Sequence, residues 1–197
     1  MIRQLENVFV LDTNHTTYCF QVLESGHLEH LYYGKRLRIE QASDVKSLAE
    51  KQAFPPGNSN VYDEKYPKLS LENMRLEMSS YGKSDIREPF IEVVHADGSY
   101  TSDFLYEGMV LSQKKTPLET LPSSYDESGN VQELTILLKD KQYDLKLELH
   151  YYVFPEYDVI SRSAKFSNTS KERVQLKRLM SNQLDFEDCG YVLTTFN

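Results

Sequence analysis

Apolar and polar residues alternate along much of this chain. The segment YDLKLELHYYVF, residues 143–154, keeps a period of two for more than ten positions. Such alternation is typical of a long strand with one buried face. Tyr152 falls on the opposite, mainly polar face. The pattern predicts that one set of side chains is buried: Tyr143, Leu145, Leu147, Leu149, Tyr151 and Val153.

Other segments have the same pattern and are separated by short turns. The segment VQELTILL (131–138) precedes the long strand, and the polar KDKQ between them predicts a hairpin. Ser25-Gly26 and Asp97-Gly98 are further turn signals. The remaining predicted strands flank these turns or a polar Thr-Ser-Lys sequence, and they cover residues 17–24, 28–34, 90–94, 99–108, 158–168 and 173–186.

These segments amount to at least eight strands joined by short turns, and they predict an all-β fold, an antiparallel β-sandwich. The best helix candidate, DVKSLAEKQAF (44–54), is one or two turns long at most. Residues 40–90 form one long irregular connection, which is unusual in a compact domain unless the connection is disordered or functional. The chain ends in the β-prone sequence YVLTTFN, so we expect residues 1–197 to be a truncated sandwich domain of a longer protein.

The stretch FPPGNSNVYDEKYPKLS (54–70) raises the question of what the long connection does. Proline and glycine stiffen and turn its first half. Tyr62, Tyr66, Leu69 and Leu71 supply apolar anchors that a disordered linker would lack. Two interpretations stay open: an ordered loop packed on its own sheet, or an ordered arm that projects from the sandwich.

Composition limits the classes of partner. The chain is 40% hydrophobic and 26% charged, with a net charge of −8, so we expect no nucleic-acid partner and no attraction to an anionic membrane. The N-terminal sequence lacks the apolar run of a signal peptide, which predicts a cytoplasmic protein. Cys19 and Cys189 do not form a disulfide framework, and both are interpreted as small buried hydrophobes.

The sequence contains few candidates for metal-binding or catalytic residues. His27 and His30 are expected on opposite faces, so we predict no metal site, and no cofactor-binding motif occurs. Asp185, Glu187 and Asp188 follow one another near a strand end, where we interpret them as solvated rather than as a catalytic pair, because catalytic carboxylates of glycosidases converge across a cleft. We therefore predict no catalytic residue in this chain.

Seven segments, in this order, resemble the N-terminal region of bacterial α-galactosidases of glycoside hydrolase family 36. The most specific sequences are SSYGKSDIREPF (79–90), which ends the longer segment 69–90, and DVISRSAKFSN (158–168). The similarity extends over nearly the whole chain through the other segments: SGHLEHLYYGKRL (25–37), QAFPPGN (52–58), DGSYTSDFLYEG (97–108), LPSSY (121–125) and LKRLMSNQLDF (176–186).

The resemblance implies an N-terminal β-supersandwich of a retaining exo-α-galactosidase that acts on melibiose- and raffinose-type oligosaccharides. Its two catalytic aspartates belong to a barrel downstream, and no cofactor is implied. In tetrameric members, loops of this domain reach a neighbouring subunit's sugar pocket, where an acidic residue before the Ala-Phe pair helps to hold galactose. The register places Lys51 at that position and Glu50 beside it, so both are candidate substrate-binding residues.

The resemblance thus implies a homo-oligomeric enzyme whose N-terminal domain assists assembly and forms the rim of the sugar pocket. The alternative is an independent carbohydrate-binding or interaction domain with the same sandwich fold, because a fold alone does not specify a function.

Overall fold

A computed structural model describes residues 1–51, 60–83, 85, 87–118, 120–186, 190–192 and 194–195. Within these residues, all elements longer than four residues are β-strands, and the helical elements are three short 3-10 turns at Ala42–Val45, Leu71–Asn73 and Pro155–Tyr157. The strands are β1 Ile2–Leu5, β2 Val8–Asp12, β3 Thr16–Val22, β4 Leu28–Lys35, β5 Ile91–Val94, β6 Phe104–Ser112, β7 Gln132–Asp140, β8 Leu145–Phe154, β9 Val159–Asn168 and β10 Gln175–Leu179.

The strands form two four-stranded antiparallel sheets and one strand pair. The first sheet has the order β1-β2-β3-β4, the second has the order β6-β7-β8-β9, and β5 pairs with β10. Each sheet is a meander, as expected where short turns join neighbouring strands. The prediction of an all-β antiparallel sandwich is confirmed.

The core lies between the two sheets. Phe9 and Phe20 of the first sheet stack with ring centroids 5.0 Å apart, and Phe20 stacks on Tyr151 of the second sheet at 5.1 Å. The predicted face of β8 lies in this core, with Leu145, Leu147, Leu149, Tyr151 and Val153 buried and Tyr143 partly buried. Burial of each aliphatic side chain contributes about 1.5–3 kcal/mol.

Tyr152 departs from the alternation. We expected it on the polar face of β8, but it is buried at 2% exposure, in a small cluster with Val131 and Phe154 on the other side of the sheet. Lys115 covers its ring, with the Lys115 Nζ 4.6 Å from the ring centroid. The loop before β7 therefore covers one end of a face that the pattern assigned to solvent.

The first part of the long connection covers the outer face of the first sheet. Ile39 and Val45 pack on Val8, Val10 and Cys19, all of which are buried. Burial is the main reason that the pKa of the Cys19 thiol is raised to about 12. Cys19 thus has the predicted role of a small buried hydrophobe, and Cys189 lies outside the described residues.

One predicted hairpin is wrong. The turn at residues 95–99 exists, since the His95 N–H donates to the Ser99 carbonyl at 2.8 Å, but β5 pairs with β10 and β6 pairs with β7. The candidate helix at 44–54, expected to be one or two turns long, is a single 3-10 turn that lies slightly earlier, at Ala42–Val45, among the described residues.

Candidate functional site

The substrate-binding candidates lie where the long connection leaves the first sheet. The Glu50 N–H donates to Glu29 Oε1 at 2.5 Å, and Gln21 Nε2 donates to the other Glu29 oxygen at 2.6 Å. Glu29 is 1% exposed, and burial raises the pKa of its carboxyl despite these hydrogen bonds. The main chain at Glu50 is therefore fixed to β4.

The two candidate side chains have different surroundings. Glu50 Oε2 lies 3.6 Å from Arg75 Nε, so Glu50 forms an ion pair within the chain, and its side chain is 32% exposed. Lys51 is exposed. Residues 52–59, which include Pro55, Pro56 and Gly57, lie outside the described residues.

The chain is fixed again at Tyr62. The Tyr62 hydroxyl donates to Asp103 Oδ2 at 2.8 Å, and His27 Nε2 lies 3.1 Å from the other oxygen of Asp103. Burial alone would raise the pKa of Asp103, but the contacts with His27 and Tyr62 outweigh it, so that pKa is lowered. Asp103 thus joins the start of β4, the long connection and the start of β6 in one buried contact.

Ser25 extends this contact, because its Oγ lies 2.9 Å from His27 Nδ1. Serine, histidine and aspartate in series are also the parts of a hydrolytic triad, in which the base activates the hydroxyl. Here all three are buried, with Ser25 7% exposed, His27 8% and Asp103 4%. A substrate carbonyl cannot approach such a hydroxyl, so we interpret the series as structural.

The predicted apolar anchors pack within the chain. Tyr62 and Leu71 are buried and share a cluster with Met74 and Leu76, and Tyr66 and Leu69 are packed against it. The Tyr66 hydroxyl donates to the Glu24 carbonyl at 2.9 Å. Residues 60–71 therefore agree with the first interpretation, an ordered loop packed on its own domain.

Arg87 holds the last part of the long connection. Its guanidinium contacts Asp85 at 2.9 Å and Asp185 at 2.5 Å, and it donates to the carbonyls of Leu71 and Met74 at 3.0 and 2.7 Å. Asp185, expected as a solvated acid, is instead the partner of this arginine. Its neighbours Glu187 and Asp188 lie outside the described residues.

A second ion pair lies between the sheets, with the Glu77 carboxylate fully buried and the Arg162 side chain 7% exposed. Arg162 Nη2 lies 3.3 Å from Glu77 Oε2, and Glu77 also accepts hydrogen bonds from Tyr18 at 2.6 Å and from Tyr151 at 2.7 Å, while His30 Nδ1 lies 2.8 Å away. We call these five residues the Glu77 cluster. Glu77 belongs to the long connection, so the cluster ties that connection to both sheets.

The charges in the Glu77 cluster depend on one another. Burial alone would raise the pKa of Glu77, but the Arg162 guanidinium and the hydrogen bonds from His30 and Tyr18 lower it overall. Burial is the main reason that the pKa values of Tyr18 and Tyr151 are raised well above 10. The cluster therefore contains a carboxylate, a guanidinium and neutral phenols.

Sequence reasoning did not identify the Glu77 cluster. Glu77 stands between the apolar residues Leu76 and Met78, and this alternation predicts a solvent-facing residue of a short strand. Arg162 differs, because in DVISRSAKFSN it shares a period-two face with Ile160, Ala164 and Phe166, which indicates an inward-facing residue. That position was the available signal for Arg162, and both residues also lie in segments that resemble the family.

His27 and His30 contact different carboxylates, Asp103 and Glu77. Across the described part of the chain, no three His, Cys, Asp or Glu side chains are grouped so that they could hold a metal ion. Among the same residues, no helix has the length and apolar character needed to cross a bilayer.

Comparison with known proteins shows which family this chain matches. Residues 26–197 match the glycosyl hydrolase family 36 N-terminal domain. The chain is 32% identical to alpha-galactosidase AgaA of Geobacillus stearothermophilus over 93% of its own length and 25% of the relative's. It thus spans about a fifth to a quarter of the length of the curated relatives that it matches over most of its own length.

Solved structures give the same result. The alpha-galactosidase from Lactobacillus brevis superposes with a TM-score of 0.85 at 32% identity, over 93% of this chain and 25% of that one. A variant of AgaA from Geobacillus stearothermophilus, in complex with raffinose, superposes with a TM-score of 0.80 at 31% identity, over 91% and 24%.

Proposed function

This chain belongs to the family of glycosyl hydrolase family 36 N-terminal domains, and we propose that it is the non-catalytic N-terminal β-sandwich of a longer retaining α-galactosidase. Residues 1–197 would form one such domain, with the catalytic barrel downstream. The substrates would be α-galactoside oligosaccharides, in keeping with the raffinose bound by the AgaA variant.

We infer further that the stretch between Glu50 and Tyr62 forms part of the rim of a sugar pocket in the assembled enzyme. The observation that carries this inference is the double attachment of the stretch, at Glu50 through Glu29 and at Tyr62 through Asp103. Because the main chain is fixed at Glu50 and at Tyr62, the residues at these two positions lose less entropy when they contact a ligand or a neighbouring subunit.

Glu50 and Lys51 would supply the polar contacts of this rim. The exposed Lys51 ammonium has three donors for sugar hydroxyls, and the Glu50 carboxylate is an acceptor whose orientation Arg75 restricts. Because charge-assisted hydrogen bonds are stronger than neutral ones, either side chain is suited to a galactose hydroxyl.

The experiment replaces the matching N-terminal quarter of Geobacillus AgaA with this chain and measures hydrolysis of raffinose. In this chimaera we expect Lys51→Ala and Glu50→Gln to raise KM several-fold with little change in kcat, since both contacts would serve binding. Lys46→Ala is the matched control, because Lys46 is exposed in the same connection. Equal KM values for all three variants would refute the proposal that Glu50 and Lys51 contact the sugar.

The role in assembly needs a separate measurement. Deletion of residues 55–60 in the chimaera should weaken the oligomer or the affinity for raffinose while the sandwich stays folded, as measured by light scattering and circular dichroism. Unchanged kinetics and unchanged assembly would favour the alternative, an independent carbohydrate-binding or interaction domain.

The isolated chain should not hydrolyse an α-galactoside, because a retaining mechanism needs two carboxyl groups on either side of the glycosidic bond and we assign both to the downstream barrel. Release of nitrophenol from a chromogenic α-galactoside by the purified chain, above a mock preparation, would contradict this.

A further inference from the structure

An open polar cleft of about 570 Å³ lies at one end of the sandwich. We call it the polar cleft. It is bordered by the β2–β3 turn, the start of β1 and the loops before β7 and after β8, and it shares no residue with the stretch between Glu50 and Tyr62. Its polar lining residues include Asn14, Arg36, Gln113, Asn130, Gln132 and Glu156.

The walls of the polar cleft are held together by hydrogen bonds across the fold. The Asn14 N–H donates to the Pro155 carbonyl at 3.1 Å, which joins the β2–β3 turn to the end of β8. The Ile2 N–H donates to Gln132 Oε1 at 2.6 Å, and Gln132 Nε2 donates to Gln113 Oε1 at 2.7 Å. The cleft is therefore formed before any ligand arrives, which lowers the entropic cost of binding.

Polar groups at the cleft keep unused hydrogen-bonding capacity. Arg36 Nη1 donates hydrogen bonds to the carbonyls of Thr13 and Asn14, at 3.0 and 3.3 Å. Asn130 Nδ2 donates to Glu156 Oε1 at 3.0 Å. Within the described chain this leaves Arg36 Nη2 as a donor, with Asn130 Oδ1 and Glu156 Oε2 as acceptors.

The balance of these groups indicates the class of ligand. A hydroxyl group donates and accepts at the same time, so a site with amides and with charges of both signs suits a chain of hydroxyls. An anion would meet the Glu156 carboxylate, and a cation would meet the Arg36 guanidinium and the Met1 ammonium, all of which line the cleft. The volume falls within the usual range for small-molecule sites, about 300–1,000 Å³.

We propose that the polar cleft is a second ligand site, which binds a neutral polyhydroxylated molecule such as a short oligosaccharide through Arg36, Gln113, Asn130 and Glu156. This site is separate from the rim and does not depend on the proposed enzyme function. Its contacts are hydrogen bonds to hydroxyls in an open cleft, so binding is weak, with a Kd on the order of 1 mM.

The test is an NMR titration of the ¹⁵N-labelled chain with maltose, raffinose and inorganic phosphate in turn. We expect either sugar to shift the signals of Asn14, Gly129 and Asn130 and the side-chain amide of Gln113, with saturation, and phosphate to leave them in place. A response to phosphate alone, shifts without saturation, or no shift would each overturn the proposal.

Variants then locate the binding. The Gln113→Ala, Asn130→Ala double variant should raise Kd about tenfold, the equivalent of about 1.4 kcal/mol. The control replaces two glutamines that are exposed elsewhere, Gln142→Ala and Gln175→Ala. If the double variant does not fold, Asn130→Ala alone should still raise Kd several-fold. Equal Kd values in the variants and the control would refute the site, whatever the outcome for the rim.

Discussion

The buried face of β8 and the long connection between β4 and β5 are held in the fold by different kinds of contact. The face of β8 is a continuous apolar surface of leucine, tyrosine and valine side chains. The long connection packs its apolar side chains in smaller, separate clusters, and it is attached in addition by single polar contacts at Glu50, Tyr62, Glu77 and Arg87. Apolar burial is additive and non-directional, whereas each polar attachment depends on particular atoms.

This difference predicts how each region responds to substitution. Loss of apolar area on β8 should lower the stability of the whole sandwich, because the sheets unfold together. Loss of one polar attachment should release part of the long connection, except at the Glu77 cluster, which lies between the sheets. The following substitutions test that distinction.

The largest effect is expected at Glu77. Glu77→Gln leaves the buried Arg162 guanidinium without its counter-charge, which costs about 3–5 kcal/mol of unfolding free energy. Urea denaturation measures it. Glu148→Gln is the control, because its partner Lys165 is 64% exposed, and this change should cost less than about 1 kcal/mol. Similar losses of unfolding free energy in Glu77→Gln and Glu148→Gln would show that the Glu77 cluster does not connect the long connection to the sheets.

Leu147→Ala should also lower the stability of the whole domain. It removes a fully buried side chain from the centre of the β8 face and should cost about 2–5 kcal/mol by urea denaturation. Leu176→Ala, at a residue 40% exposed in β10, should change stability by about 0.5 kcal/mol or less. A local loss of hydrogen-exchange protection at β8, with the other strands unaffected, would contradict cooperative unfolding.

Arg87→Gln tests the local behaviour of the long connection. It removes the ion pairs to Asp85 and Asp185, with an expected cost of about 1–3 kcal/mol. Hydrogen exchange should accelerate at the Leu76 amide, which donates to Asp185, while β8 amides stay protected. Arg178→Gln is the control, because its partner Glu88 is 70% exposed, whereas Asp85 is 2% exposed. Uniform acceleration in all strands would refute local release.

Tyr62→Phe is a smaller change, because it removes only the hydroxyl that donates to Asp103. We expect a loss of about 1 kcal/mol and increased exchange at the Leu69 and Tyr62 amides. The matched control is Tyr81→Phe, where the side chain is 49% exposed. If Tyr62→Phe lowered the unfolding free energy more than Leu147→Ala does, the expected difference between the two regions would be wrong.

The smallest difference is expected in acid. The folded-state pKa of Glu77 lies below its ordinary value of 4.5, so its carboxylate stabilises the fold above pH 4.5, and that stabilisation is lost as pH falls through the folded-state pKa. Glu77→Gln lacks this carboxylate, so its unfolding free energy should decline less steeply below pH 4.5. The difference in slope between the two proteins corresponds to at most one proton taken up on unfolding. Urea midpoints measured against pH for both proteins test this, and parallel curves would contradict it.

The sequence by itself determined the fold class and the interior face of the longest strand. Period-two alternation is a local property, since successive side chains of a strand point to opposite faces. It correctly placed Leu145, Leu147 and Leu149 in the core. The order of family-like segments also identified the N-terminal domain family. For the candidate site, the sequence suggested only Glu50 and Lys51, and their contact with a sugar stays a prediction.

Only the tertiary structure decided which polar residues are buried and which strands pair. Glu77 meets Tyr18 and Tyr151, which lie 59 and 74 positions away in the chain, and no local pattern encodes such contacts. The same holds for the pairing of β5 with β10 rather than β6, and for Tyr152 under the loop before β7. A charged residue at an alternating position is predicted to face solvent until its partner is known, because burial of a charge is tolerated only when distant parts of the chain bring its counter-charge and hydrogen bonds to it.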